Sequence, residues 1–159
     1  MQPRMTSLLA AALLCSACAG NAPGPGAAST QAGASAPAST AVLAGTRWQL
    51  KEIQSMDDSQ GTIRPGADRV YSVQFGADGR AAFQLDCNRG TAGWRSTPEG
   101  GLAFEGLGMT RAMCPEQSLD TRIARDMGHV RSYSVRAGVL SMSLMADGGI
   151  YRWTSAGTP

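Results

Sequence analysis

Short segments that alternate apolar and polar residues, separated by glycine turns, run through residues 46–154 and constrain the fold more than any other feature. They predict β-strands, because alternate side chains of a strand face opposite sides of a sheet. The turns include Asp78-Gly79, which is typical of a hairpin. The eight expected strands are Thr46–Ile53, Val70–Phe75, Arg80–Leu85, Thr91–Thr97, Leu102–Phe104, Ser132–Arg136, Val139–Ala146 and Ile150–Thr154.

One helix is expected, opening at Pro115. Proline suits the first helical position, and Glu116 favours the positive end of the helix dipole. The apolar residues at helical spacing are Leu119, Ile123, Met127 and Val130, whereas Asp120, Arg122, Arg125 and Asp126 lie away from that face. These elements together predict an α+β fold, with a small curled antiparallel β-sheet or partial barrel of about seven to eight strands and one α-helix.

The first residues have the three-part layout of an export signal. Arg4 gives a positive start, an apolar run follows over residues 8–14, and small residues come next. The apolar run is much shorter than the ~20 residues that span a bilayer, which argues against a permanent membrane helix. We therefore interpret residues 1–17 as a lipoprotein signal peptide.

Cys18 resembles the lipidated first residue of a bacterial lipoprotein. Small residues precede it, although Cys15 stands where leucine is usual. Ala19 rather than aspartate follows, which by resemblance to enterobacterial sorting favours an anchor on the periplasmic face of the outer membrane. The alternative is cleavage before Gly20 at an A-x-A site, which would give a soluble periplasmic or secreted protein.

Residues 18–41 are expected to form a flexible tether after the lipidated cysteine. From Ala19 up to Val42 the chain carries no charge, no aromatic and no large aliphatic side chain, so it cannot bury enough apolar surface to fold. The folded domain is then about residues 42–155, with residues 156–159 as a short tail. The chain's net charge of +2 and the lack of a basic patch argue against nucleic acid as a partner.

Two cysteines, Cys87 and Cys114, remain in the expected domain. An exported protein with two cysteines usually pairs them, so a disulfide is the favoured interpretation. Two buried free thiols are the alternative. A catalytic thiol is disfavoured, because neither cysteine has a histidine beside it and the only histidine of the chain is His129.

The ordered set of segments resembles the META domain family of HslJ-like proteins across residues 43–154. The matching segments are Gly45–Leu50, Phe75–Arg80, Asp86–Gly90 with Gly93-Trp94 after it, Thr110–Cys114 and Leu140–Trp153. Asp86 stands where glycine is commoner in the family. The resemblance implies a small β-rich domain with one helix, often exported or lipid-anchored, with no established catalytic activity. It also implies links to heat stress and antibiotic tolerance.

Four polar residues near the two cysteines form a possible binding face: Asp86, Asn88, Arg89 and Arg111. The structural alternative has Asn88 in a left-handed turn position and Cys87 tying this turn to the helix entry. In that interpretation Arg111 pairs with Asp86 and stabilises the region near the disulfide.

No catalytic residues, metal ligands or cofactors are expected. His129 has no evident partner for general-base work and is interpreted as a residue at the helix C-terminus. The cysteines and the histidine lack the spacing of a zinc site. A glycosidase pair drawn from Glu99, Glu105 and Glu116 is disfavoured, because two of these residues flank turns and the third starts the helix. The tryptophans at positions 48, 94 and 153 are expected to pack in the core.

These observations favour a non-enzymatic outer-membrane or periplasmic lipoprotein, a monomeric domain that binds an envelope partner and supports envelope integrity or stress tolerance. The alternative function is inhibition of an envelope-directed hydrolase, either a lysozyme or a protease, by a rigid loop pinned through Cys87 and Cys114. An enzyme acting on cell-wall material is the third hypothesis, and it depends on the three glutamates named above.

Overall fold

The computed structural model describes residues 42–56 and 61–157. The signal peptide, Cys18 and the tether expected over residues 18–41 lie outside the described residues, as do the last two residues of the expected tail. No helix in the described part of the chain is long and apolar enough to cross a membrane.

Within the described residues, nine antiparallel strands form one sheet: β1 Arg47–Gln54, β2 Thr62–Ile63, β3 Tyr71–Phe75, β4 Arg80–Leu85, β5 Asn88–Ser96, β6 Leu102–Met109, β7 Val130–Arg136, β8 Val139–Leu144 and β9 Ile150–Ser155. Their order across the sheet is β6-β5-β4-β3-β1-β9-β8-β7, with β2 added to β1. The sheet is curled so that its two edges are hydrogen-bonded to each other. Gly101 bridges to Ser132, and the Tyr133 N–H donates to the Gly100 carbonyl at 2.8 Å. The expected α+β fold with a curled, partly closed sheet is confirmed.

The core fills the inside of the curled sheet. The strands reach it as their alternation predicts, since every second residue of β4 is buried. The three tryptophans are buried as expected. Aromatic side chains from β3, β5 and β6 meet within this core: the ring centroid of Phe75 lies 4.9 Å from that of Trp94 and 5.8 Å from that of Phe104.

Helix α1 spans Asp120–Met127 and begins five residues later than the sequence pattern predicts. The chain from Pro115 forms a turn instead, in which the Ser118 N–H donates to the Pro115 carbonyl at 3.2 Å. Gln117 has a φ of +66°, which a right-handed helix cannot contain. The prediction that Asp120 and Asp126 lie away from the buried face is wrong, because only 9% and 7% of their surfaces are exposed.

All eight expected strands are present, but several boundaries differ. β5 begins at Asn88 rather than Thr91, β6 continues to Met109 rather than Phe104, and β8 ends at Leu144. The left-handed residue before β5 is Asp86, with a φ of +58°, so the prediction that Asn88 takes that position is wrong. Asp86 stands where the family commonly has glycine, and a short polar side chain tolerates this conformation.

Candidate functional site

A disulfide between Cys87 and Cys114 ties the start of β5 to the chain that leads into α1. The two Cα atoms are 5.5 Å apart, and the cysteines are separated by 27 positions in sequence. The favoured pairing is therefore present in the structure. The chain from Thr110 to Cys114, here named the Thr110–Cys114 segment, lies beside this bond and leaves the end of β6.

Asn88 is 1% exposed, and its side chain is hydrogen-bonded to the Thr110–Cys114 segment. Its Nδ2 donates to the Ala112 carbonyl at 3.1 Å and to Asp120 Oδ2 at 2.9 Å. Its Oδ1 accepts from the Ala112 N–H and from Thr110 Oγ1, both at 2.8 Å. These four bonds use the full capacity of an amide side chain. Asn88 is therefore turned inward, and the prediction that it belongs to an exposed binding face is wrong. Asn88, Thr110, Ala112 and Asp120 are named the Asn88 cluster.

The Thr110–Cys114 segment alternates between bonded and free residues. The Thr110 N–H donates to the Arg89 carbonyl at 2.9 Å, which continues the β5–β6 pairing. Ala112 is bonded through both of its backbone groups, as described above. Arg111 lies between Thr110 and Ala112, and Met113 follows Ala112. They are exposed, and they make no hydrogen bond or ion pair with the described part of the chain. Met113 is 99% exposed, although its side chain is apolar.

Asp86 pairs with Arg69 rather than with Arg111. Arg69 Nη1 lies 2.6 Å from Asp86 Oδ2, and both side chains are mostly buried. Burial opposes ionisation of Asp86, but hydrogen bonds from Arg69 and Ser118 and the charge of Arg69 outweigh it. The pKa of the Asp86 carboxyl is therefore held below its usual value. The expected pairing of Asp86 with Arg111 is wrong, and Asp86 contributes to structure here.

Arg89 is exposed on β5, where its Nε donates to Gln84 Oε1 at 3.2 Å. The four residues expected to form a binding face are thus divided. Asp86 and Asn88 are engaged in internal contacts, whereas Arg89 and Arg111 remain exposed. The sequence pattern did not single out Met113, although its position directly before a disulfide cysteine was a usable signal.

A second polar cluster lies at the other end of α1. Asp126 Oδ2 accepts a hydrogen bond from the Tyr151 hydroxyl at 2.7 Å, and Asp126 Oδ1 accepts one from Arg125 Nε at 3.0 Å. Arg122 Nε lies 3.6 Å from the same Oδ2. Burial first, and then the bond to Asp126 and its charge, raise the pKa of Tyr151 far above its usual value. Asp126, Tyr151, Arg122 and Arg125 are named the Asp126 cluster, which the sequence analysis missed.

A cleft of about 500 Å³ opens beside the Asp126 cluster. Its lining includes both arginines of that cluster together with His129, Leu144, Met145 and Asp147. The imidazole of His129 has no hydrogen-bond partner among the described residues. Two arginines and two aspartates, Asp126 and Asp147, line this cleft, so their formal charges cancel.

The three glutamates considered as a glycosidase pair lie in different elements and are all exposed. Glu99 is in the turn between β5 and β6, Glu105 on β6 forms an ion pair with Arg95, and Glu116 is in the loop before α1. Within the described residues, no group of three or more His, Cys, Asp or Glu is placed to hold a metal ion.

The family assignment follows from a match along the domain. The profile of the META domain matches residues 41–156, well over half of the chain. The chain belongs to the META domain family. The resemblance carried by the Asp86–Gly90 and Thr110–Cys114 segments is therefore confirmed. In this META domain those two segments meet at the disulfide and the Asn88 cluster. A search of curated proteins gives no significant match.

Two solved structures share this fold at low sequence identity. The chain is similar to a protein from Burkholderia xenovorans, solved by NMR, with a TM-score of 0.60, 22% sequence identity, and coverage of 83% of this chain and 98% of that one. It is also similar to a duf4847 family protein from Bacteroides vulgatus, with a TM-score of 0.53, 11% identity, and coverage of 76% and 99%. At these identities the likeness supports the META fold alone.

Proposed function

We propose that this META domain protein is a lipid-anchored, non-enzymatic binding module on the periplasmic face of the outer membrane. The observation that carries the binding role is the Thr110–Cys114 segment. Met113 is wholly exposed there, on a backbone that is fixed on both sides by Asn88 and the disulfide. A partner could bury this side chain with little loss of conformational entropy, because the backbone on both sides of it is already fixed, and this favours a contact role for Met113.

The anchor rests on the sequence before the domain. Cys18 follows an apolar run and small residues, and an uncharged stretch leads from it to the domain. More than one acyl chain on this cysteine would give a stable anchor, because each buried CH₂ contributes ~0.8 kcal/mol. The tether would hold the domain clear of the lipid headgroups.

Intact mass of the protein purified from membranes tests the anchor. We expect a mature chain that begins at Cys18 and carries acyl chains, and a Cys18→Ser variant that leaves the membrane fraction. An unmodified chain that begins at Gly20 would contradict the anchor and make the protein a free exported one.

Complementation of a deletion strain tests the role in the envelope. We expect the deletion strain to be sensitive to heat, detergent or antibiotics, and the wild-type gene to restore tolerance. Met113→Asp is expected to fail, whereas Met56→Asp is expected to succeed, because Met56 is an exposed methionine outside the segment. A deletion strain that matches the wild type under all three stresses would contradict the proposed role.

A further inference from the structure

The free backbone groups of the Thr110–Cys114 segment match the way a peptidase cleft binds a chain. Such a cleft takes an extended strand, pairs with the main chain of every second residue, and receives side chains in pockets. Arg111 and Met113 are the alternate residues whose N–H and C=O groups have no partner among the described residues. The residue between them, Ala112, already has both groups bonded to Asn88. The segment can therefore add a partner's strand without giving up any internal bond.

The segment is also fixed before any partner arrives. Asn88 holds Ala112, and the disulfide holds Cys114. Beyond Cys114, Arg69 Nη2 donates to the Glu116 carbonyl at 3.1 Å. A segment held in this way loses little conformational entropy when it binds, which favours tight association over a small area.

We propose that the Arg111–Cys114 stretch is an inhibitory strand for a serine endopeptidase with an apolar primary pocket, in which Met113 fills that pocket. This inference deepens the proposed function and rests on its view of the domain as a binding module. Arg111 and Met113 would make the main-chain bonds, and the small side chain of Ala112 would leave room for the enzyme.

The disulfide and the bonds between Asn88 and Ala112 explain why such a strand would inhibit the enzyme rather than be released as a cleaved substrate. The enzyme's serine oxygen would attack the Met113 carbonyl carbon, and the Met113–Cys114 peptide bond would break. The serine proton would pass through the enzyme's histidine to the leaving Cys114 nitrogen. The new amine would stay in place, because Cys114 is bonded to Cys87 and Asn88 holds Ala112 on the acyl side. The amine would re-form the peptide bond faster than water could hydrolyse the acyl-enzyme.

Inhibition assays on the full-length protein in detergent test the proposal. The panel would be chymotrypsin, a neutrophil-type elastase and subtilisin, which accept apolar residues, with trypsin as the basic-specific comparison. We expect inhibition of at least one of the first three enzymes. Met113→Asp should weaken it by about 100-fold, as for a central interface residue, and Met56→Asp should leave it unchanged. Absence of inhibition across the panel, or inhibition that Met113→Asp does not weaken, would overturn the proposal.

A change of specificity gives the sharper test. Met113→Arg is expected to move inhibition from the apolar-specific enzymes to trypsin, since only the residue in the primary pocket changes. Failure of Met113→Arg to inhibit trypsin, or rapid complete cleavage after Met113 in the wild type, would overturn the proposal. These outcomes are separate from the anchor, because an acylated protein that inhibits nothing contradicts only the inhibitory strand. An inhibitor that lacks acyl chains contradicts only the anchor.

Discussion

The two ends of α1 each bury a carboxylate, and they satisfy it in different ways. Asp120 in the first turn meets the neutral amide of Asn88, whose other bonds go to the Thr110–Cys114 segment. Asp126 in the last turn meets the Tyr151 hydroxyl and the guanidinium of Arg125. The Asn88 cluster therefore connects the helix to an exposed segment, whereas the Asp126 cluster connects it to strand β9.

The Asn88 cluster fixes the conformation of an exposed segment, whereas the Asp126 cluster is part of the packing between the helix and the sheet. Three of the four hydrogen bonds of the Asn88 side chain go to Thr110 and Ala112, in the segment that presents Met113. The Asp126 cluster fixes the position of the helix against the sheet, and its cleft is balanced in charge. We infer that damage to the Asn88 cluster changes both stability and the binding segment, whereas damage to the Asp126 cluster changes stability alone.

The largest effect is expected from Asn88→Asp. The substitution places a second carboxylate 2.9 Å from Asp120 Oδ2 and removes the donor to that oxygen. A buried charge without compensation costs about 4 kcal/mol, so the free energy of unfolding should fall by about that amount at neutral pH. Urea unfolding monitored by circular dichroism measures it. Arg89→Ala, at the exposed neighbour, should stay within about 0.5 kcal/mol. Equal losses for both variants would contradict a central role of Asn88.

Removal of the disulfide is expected to be the next largest change. The double substitution Cys87→Ser with Cys114→Ser should lower the free energy of unfolding by about 3 kcal/mol, because it releases a loop with a sequence separation of 27. Reduction of the wild type should give the same loss in urea unfolding. Reduction should have no effect on the double variant, and any such effect would show that the loss has another cause.

Tyr151→Phe tests the other cluster and should have a smaller effect. It removes the hydrogen bond to Asp126 Oδ2, while Arg125 still pairs with Oδ1 and Arg122 lies close by. We expect a loss of about 1.5 kcal/mol, typical of one buried hydrogen bond. Protection of the Ala112 amide against hydrogen exchange should remain. A decrease in the free energy of unfolding as large as that of Asn88→Asp would contradict the difference inferred between the two clusters.

The smallest effect is expected from the Asp86–Arg69 pair, and it should depend on pH. The pKa of Asp86 is lowered in the folded state, so its charge stabilises the protein above the ordinary aspartate pKa of ~3.9. That stabilisation is lost as the pH falls through the folded-state pKa. Asp86→Asn should therefore destabilise by about 1 kcal/mol at pH 6 and by progressively less below about pH 4.

Asp86→Gly separates the charge of this residue from its backbone. Glycine removes the same carboxylate but adopts the φ of +58° without steric strain. It should be more stable than Asp86→Asn, and, like that variant, it should lack the part of the wild-type response to acid that Asp86 contributes. A larger loss for glycine would contradict the account of this left-handed position.

Eight of the nine strands in the described residues were predictable, because they are short runs with apolar residues at alternate positions, and burial in β4 follows that alternation. Strand β2 was missed, because its two residues, Thr62–Ile63, are too few to show such a pattern. The start of α1 was not predictable from the same pattern. Pro115 and Glu116 favour a helix locally, but the disulfide at Cys114 and the left-handed Gln117 hold the chain in a turn. The extra length of β6 to Met109 depends on its pairing with Gly90 in β5, which is a tertiary contact.

The site was predictable only in part. The pairing of Cys87 and Cys114 followed from export and cysteine number. The inward turn of Asn88 depends on β5 beginning at that residue, which no local pattern indicates. Asp126 was missed because a charged residue on a helix normally faces solvent, and its burial here also depends on a hydrogen bond from Tyr151 in β9, which is a tertiary contact.

Amide hydrogen exchange by NMR tests most directly the claim that Asn88 holds a rigid segment with Met113 presented to solvent. We predict slow exchange for the Ala112 amide and fast exchange for the Met113 amide in the wild type. In Asn88→Ala the Ala112 amide should become fast, while amides in β9 beside Tyr151 stay slow. Fast exchange of Ala112 in the wild type, or slow exchange of Ala112 in a folded Asn88→Ala variant, would contradict the account.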